Sequence, residues 1–168
     1  MEFGPVQMLV VGFEHGKFEG EILAELKRLR EQDIIRLVDL LFVNKDDDGV
    51  IATVELSDLS QEESMEFGAL AGALIGVGAG GEAGAEAGAV AGAVAMEDGQ
   101  AFSEQDVWFV ADAIPPGTSA GIALIEHRWA IPLREAIMNA GGFLLSDAWI
   151  HPTDLVAIGL AASEEVSG

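Results

Sequence analysis

The 168-residue sequence predicts an α+β fold: a ferredoxin-like β-α-β-β-α-β core, extended by a further α-β-α and carrying an inserted α-helical glycine-zipper hairpin. Three observations predict it. Short apolar runs rich in β-branched residues alternate with segments of helical period; two such runs meet across a polar turn; and glycine recurs every fourth residue through one long apolar stretch. The length is that of a single domain, 1–168, with the hairpin inserted at 64–98.

The elements follow in order. VQMLVVGF (6–13) is an almost unbroken apolar run and reads as a central strand. Over 18–31 the period changes: Phe18, Ile22, Leu23, Leu26 and Leu29 fall on one helical face, and the Glu, Lys and Arg residues lie largely elsewhere. IIRLVDLLFV (34–43) and VIATVEL (50–56) are strands joined by NKDDDG, so a hairpin is expected. Ser103 caps a short helix over 103–114, and Pro115-Pro116-Gly117 stops it. A strand over 119–129, a helix from Ala130 to Gly141-Gly142, a last strand over 143–150 and a C-terminal helix near 153–162 complete the order. The second strand is apolar on both sides, with Ile34, Val38, Leu40 and Phe42 opposite Ile35, Leu37, Leu41 and Val43. Both faces of the sheet therefore need cover from the insert, a C-terminal element or another subunit.

Eight Lys and Arg oppose 29 Asp and Glu, a formal net charge of −21, so the surface repels nucleic-acid backbones and anionic headgroups. No nucleic-acid partner is expected. Cysteine is absent, which excludes disulfides, thiolate nucleophiles and Cys-based metal or iron-sulfur sites. The N-terminus has no basic segment ahead of its apolar run, and a cytoplasmic protein is the expectation.

GPVQMLVVGF, KFEGEILAEL, IIRLVDLLFVNKDDDGVIATVELSDL and IALIEHRWAIPLREAIMNAGG together resemble a bacterial family of uncharacterised ferredoxin-like proteins, a domain of unknown function, some members of which carry glycine-zipper hairpins. The resemblance spans most of the chain outside 64–100. It implies the ferredoxin-like fold and brings no catalytic residues.

Three motifs compete for a function. NKDDDGVIATVE (44–55) fits the calcium-loop pattern through Asn44, Asp46, Asp48 and Glu55, but its flanks are strand formers instead of helices. Extended structure carries Glu55 away from the turn, so a solvated β-turn is expected. Gly76 to Gly81 fits G-x-G-x-x-G, yet ALAGALI continues the repeat before it where a nucleotide fingerprint needs a strand. His15, His127 and His151 lie in separate elements without metal spacing. Glu126 to Trp129 reads as a strand edge with one salt bridge and an aromatic anchor, and Asp39 and Asp147 as carboxylates paired with Arg36 or Arg134. No Ser, Thr or Lys has a base beside it, so neither catalytic residues nor a cofactor are expected.

The repeat carries the functional reading. Gly68, Gly72, Gly76, Gly80, Gly84, Gly88 and Gly92 keep a strict spacing of four, whereas a linker needs glycines but not their phase. Each costs a helix about 1 kcal/mol relative to Ala, so close packing must compensate. A four-residue spacing drifts about 40° per step, which one straight helix cannot keep facing a single partner. A break at Gly78–Gly81 yields arms of about 64–78 and 82–97. Leu70, Leu74, Ile75, Val90 and Val94 then face outward and need a further partner. Glu82 and Glu86, and flanks poor in Lys and Arg, argue against insertion in a membrane. A non-enzymatic, self-assembling structural protein is the expected function, its partner being itself. The alternatives are a small-molecule or metal-binding regulatory module near His127, Trp129 and Trp149, and a membrane-associated stress protein.

Overall fold

The computed structural model describes residues 2–14 and 20–149. Two compact units divide the chain, Met1–Arg134 and Glu135–Gly168, with the boundary inside a helix. The first unit contains β1 (Val6–Glu14), α1 (Glu21–Glu31), β2 (Ile35–Lys45), β3 (Ile51–Leu56), α2 (Gln61–Ala95), α3 (Glu104–Ala113), β4 (Thr118–His127) and the start of α4 (Ala130–Asn139). The class is α+β, and the four strands form one sheet in the order β1-β4-β2-β3 with every neighbouring pair antiparallel.

β1 and β2 are therefore parallel, joined through α1 and split by β4, while β3 and β4 are parallel and split by β2. β4 suits the interior slot. Its Ser119, Ala120, Gly121 and Ala123 are small and buried, and let flanking strands and helices close in. β3 is short and bears Glu55, which suits the edge it occupies.

β2 runs through the middle of both cores. A β-bulge between Leu37 and Asp39 absorbs one residue, so Ile35 and Leu37 share a face with Leu40 and Phe42, while Leu41 and Val43 point the other way. The strict alternation expected from sequence places Leu40 and Phe42 opposite Ile35 and Leu37, and the bulge corrects it. Backbone groups freed at the bulge find partners in the next segment: Ser57 Oγ donates to the Val38 carbonyl (2.8 Å) and Asp58 accepts from Leu37 N–H (2.8 Å).

One face packs Ile35, Leu37, Ala123 and Ile125 against Leu26 and Leu29 of α1. The other packs Leu41 and Val43 against Ala111, Val107 and Val110 of α3, with Phe102 and Ile114. Helices thus cover both sides of the central strands. α3 begins at the expected cap: Ser103 Oγ accepts from Asp106 N–H, and Asp106 accepts from Ser103 N–H at 2.7 Å. Ser103→Ala should lower stability by about 1 kcal/mol in urea unfolding.

Two expectations are corrected. β1 is not central: it lies at the edge of the sheet, and Val6, Met8, Leu9, Val10 and Val11 are all exposed. An apolar run predicts burial on both faces, yet one chain buries neither face of this strand. The strand expected at 143–150 is also absent over 143–149, where Gly141 (φ 80°) ends α4 and Phe143, Leu144 and Leu145 are exposed without ladder partners. The helix expected at 153–162, together with Phe18, His15 and His151, lies outside the described residues.

Candidate functional site

α2 is two helical arms merged across a reversal. Gly80 (φ −154°, ψ 20°) and Gly81 (φ 62°, ψ −144°) leave helical geometry, and Gly81 takes a conformation that L side chains rarely adopt. The arms, 61–79 and 82–95, run back along one another. Gly68 meets Gly92, Gly72 meets Gly88 and Gly76 meets Gly84, so Gly80 stands at the midpoint of the repeat. A Cβ added to Gly72 would stand 2.8 Å from the Gly88 carbonyl carbon and 3.1 Å from the Gly92 Cα, well inside contact distance. Gly78 has open space beside it. The G-x-G-x-x-G pattern at 76–81 thus forms the tip of a helical hairpin, where no strand precedes it.

Ser60 caps the first arm through a reciprocal pair with Glu63. The Ser60 N–H, and Arg36 beside it, hold the Glu63 carboxyl below its usual range. At the base, Gln61 Nε2 donates to the Glu97 carbonyl (2.8 Å) and Phe3 meets Phe67 edge-on, ring centres 5.3 Å apart. Leu70, Leu74, Ile75, Val90 and Val94 all point outward, with Ile75 76% and Val90 68% exposed. Ile75 and alanines such as Ala87, Ala91 and Ala95 join the glycines in an open apolar groove of about 580 Å³. This groove contains no charged group, whereas a second concavity, beside α1, is lined by both signs of charge and pairs Lys27 with Glu31 and Arg30 with Asp58.

The calcium-loop residues are not brought together. Asn44 accepts from Ser119 Oγ (2.7 Å) and Glu55 from Gln100 Nε2 (2.6 Å), while Asp46 Oδ1 closes its own turn by accepting from the Asp48 and Val50 N–H groups. No group of metal-ligating side chains forms among the described residues. His127 contacts Gln7 (3.0 Å) and Trp129 Nε1 (3.3 Å), and burial lowers its pKa. Trp149 belongs to the second unit.

Two carboxylates differ from expectation. Arg36 pairs with Glu126 (2.7 Å) and Glu63 (3.1 Å) instead of Asp39, and Arg134 pairs with Glu2 (2.5 Å). Glu126, directly across the ladder from Arg36, is fully buried and also accepts from Gly4 N–H (2.8 Å). Asp39 is buried beneath the point where the chain leaves the hairpin, accepting from the Ala101 (2.6 Å) and Phe102 (2.9 Å) N–H groups. Burial pushes its carboxyl pKa up, outweighing those bonds, and Asp98 adds to the rise. A raised folded-state pKa means that the native state holds this proton more tightly than the unfolded chain, so this contribution is present at acid pH and is lost as pH rises through the folded value. Asp39→Asn should therefore stabilise the protein at pH 7 to 8, with the gain shrinking toward pH 4; urea midpoints across that range measure it.

Sequence reasoning missed the outward-facing Trp108 and Phe109 of α3. The run VWFV is apolar all round, and that was the available signal. In the second unit, Ile137 and Met138 are exposed, as is Leu145 at 88%. No protein-family model, curated protein or solved structure matches the chain.

Proposed function

We propose that the chain is a non-enzymatic structural protein that assembles with copies of itself into a ring, shell, tube or filament, through the glycine-zipper hairpin and the apolar surface of its sheet. We also read the sheet as a variant of the ferredoxin-like arrangement. Two interleaved split crossovers support that, although β4 occupies the place between β1 and β2 that the third strand takes in the ferredoxin-like order.

One observation carries the assembly reading. The glycines bring the two arms into backbone contact, and the large side chains of both arms are left outside, exposed, on a chain of net charge −21. A contiguous apolar surface of this kind marks an interaction site. Between like-charged copies, contact is favoured where no carboxylate must be buried, and residues 67–81 and 87–96 contain none.

Lipid is the competing partner. α2 taken whole is long and apolar enough to cross a membrane, and only 6% of its most apolar window is buried. Divided at Gly80–Gly81, however, the second arm holds 82–95, about 21 Å of helix against a hydrocarbon core of about 30 Å, and it carries Glu82 and Glu86. Light scattering at micromolar concentration, with and without liposomes, tests the choice. Multi-subunit particles without lipid support assembly; a monomer that floats with liposomes supports insertion, and a monomer indifferent to them removes both.

A further inference from the structure

We infer that β1 is a docking edge for β1 of a second copy, the two strands pairing antiparallel about a two-fold axis at Val10 to join two sheets into one. The partner's identity, a second copy, rests on the self-assembly reading; the edge itself is argued independently of the hairpin.

β1 pairs with β4 along all nine of its residues without a bulge, and among the described residues no strand lies at its other edge. The bond from His127 N–H to the Pro5 carbonyl (2.8 Å) sets the phase of that ladder. Residues 5, 7, 9, 11 and 13 aim their backbone groups at β4. Val6, Met8, Val10, Gly12 and Glu14 consequently aim theirs outward.

Protein edge strands are normally protected by charge, proline, shortness or bulges. β3, at the opposite edge, has six residues, includes Glu55 and lies between Asp46–Asp48 and Asp58. β1 has a single charge, Glu14, at its last residue. No charged residue occurs from Phe3 to Phe13, and Met8 (65%) and Val10 (61%) are exposed.

The edge is also complementary to itself. Centred on Val10, an antiparallel pairing matches Met8 with Gly12 of the partner subunit and Val6 with Glu14 of the partner subunit, using the outward N–H and C=O groups of all five residues. Open space beside Gly12, where an added Cβ would meet nothing within 4 Å, receives the Met8 side chain. On the opposite face Leu9 lies against Val11 of the partner subunit. Glu14 stays at the solvent rim, so no carboxylate is buried. The same two-fold axis makes the contact isologous, closing at two subunits and leaving any further growth to other surfaces.

The sequence has no cysteine, so single substitutions report the seam directly. Val10→Cys should give a disulfide-linked dimer under mild oxidation at micromolar protein, at least five-fold more of it than Val54→Cys on the opposite edge strand. An unlinked Val10→Cys chain, or equal linkage at both positions, overturns the inference. Val10→Pro removes an outward N–H while sparing the β4 ladder, and should halve the solution mass; a native circular dichroism spectrum with undiminished mass overturns it as well. Repeating the Val10→Cys reaction with Gly72→Leu and Gly88→Leu separates the two readings. Linkage retained in that background supports the seam, and linkage lost there assigns the contact to the hairpin and overturns the seam. If the leucine pair leaves wild-type mass unchanged while Val10→Pro halves it, the hairpin reading falls and the seam stands.

Discussion

Gly72→Ala is expected to destabilise the hairpin by about 1 to 3 kcal/mol, whereas Gly78→Ala, six residues on in the same arm, should stabilise it by up to about 1 kcal/mol. Helix propensity alone gives both substitutions the same favourable sign, because Ala loses less backbone entropy than Gly. Packing separates them. At Gly72 the new Cβ lies 2.8 Å from the Gly88 carbonyl carbon, and backbone on a regular helix has little room to retreat. The arms must move apart along their length, losing dispersion contacts and the weak Cα–H···O bonds that close approach permits. At Gly78 nothing stands within 4 Å of the added methyl, so only the propensity gain remains. Amide hydrogen exchange over 61–95 reads the opening free energy of the arms without requiring the sheet to unfold. Opposite signs are the expected outcome. Equal gains at both positions would show that the glycine faces are not in contact, and the outward placement of Leu74 and Val90 would lose its basis. Gly72→Leu with Gly88→Leu extends the first effect to separation of the arms while β1 to β4 stay folded.

The elements legible in the sequence were those with a local cause. β2, β3 and β4 announce themselves through apolar runs bounded by turn residues, and α3 through the Ser103 cap. The reversal at Gly80–Gly81 was legible for a different reason: a four-residue repeat cannot remain on one face of one helix, so geometry demands a break near its centre. Strand order was not legible, because hydrophobic pattern fixes which faces are buried and not which neighbour supplies the cover. The bulge at Leu37–Asp39 escaped for the same reason, since it depends on Ser57 and Asp58 arriving after β3, Ser57 to donate to the Val38 carbonyl and Asp58 to accept from Leu37 N–H. VQMLVVGF misled about position. Its composition is that of a strand covered on both faces, and among the described residues it is the outermost strand of the sheet, with its large side chains exposed. Sequence pattern describes burial in the working state, and that difference between pattern and exposure is the reason to look for a second copy at β1.

Among the candidate residues, the four of the calcium pattern illustrate how spacing without backbone context misleads. Asn44 and Glu55 belong to opposite faces of a twisted hairpin, so the regular spacing of a loop becomes divergence in a ladder. The Arg36–Glu126 pair was invisible by contrast, its members lying 90 residues apart and meeting only because β4 takes the slot beside β2.

Glu126→Ala should be the most damaging single change in the sheet, lowering stability by about 3 kcal/mol. Its carboxylate is fully buried, and removing it takes the shorter of two ion pairs from Arg36, itself only 15% exposed and beneath the Phe3 ring, whose centre lies 5.2 Å from the guanidinium carbon, leaving the more distant Glu63 at 3.1 Å. Gly4 N–H loses its acceptor in the same step. Glu126→Gln keeps an oxygen for Gly4 but no charge for Arg36, and should fall between wild type and the alanine variant. The double substitution Arg36→Met with Glu126→Leu should recover much of the loss, because deleting both charges removes the desolvation problem that deleting one creates. Urea unfolding of wild type, Arg36→Met, Glu126→Leu and the double variant gives the coupling energy. A double variant as unstable as the sum of its parts would mean that the two side chains act independently, and the cluster is then not a unit. Its position gives the loss a further consequence. Glu126 holds the chain at Gly4 just before β1, and Arg36 reaches Glu63 and Phe3, which meets Phe67 on the first arm. Weakening this one pair should therefore increase amide exchange both at the entry to β1 and at the base of the hairpin, while α3, held on the sheet by Ala111 and Val107, should be little changed.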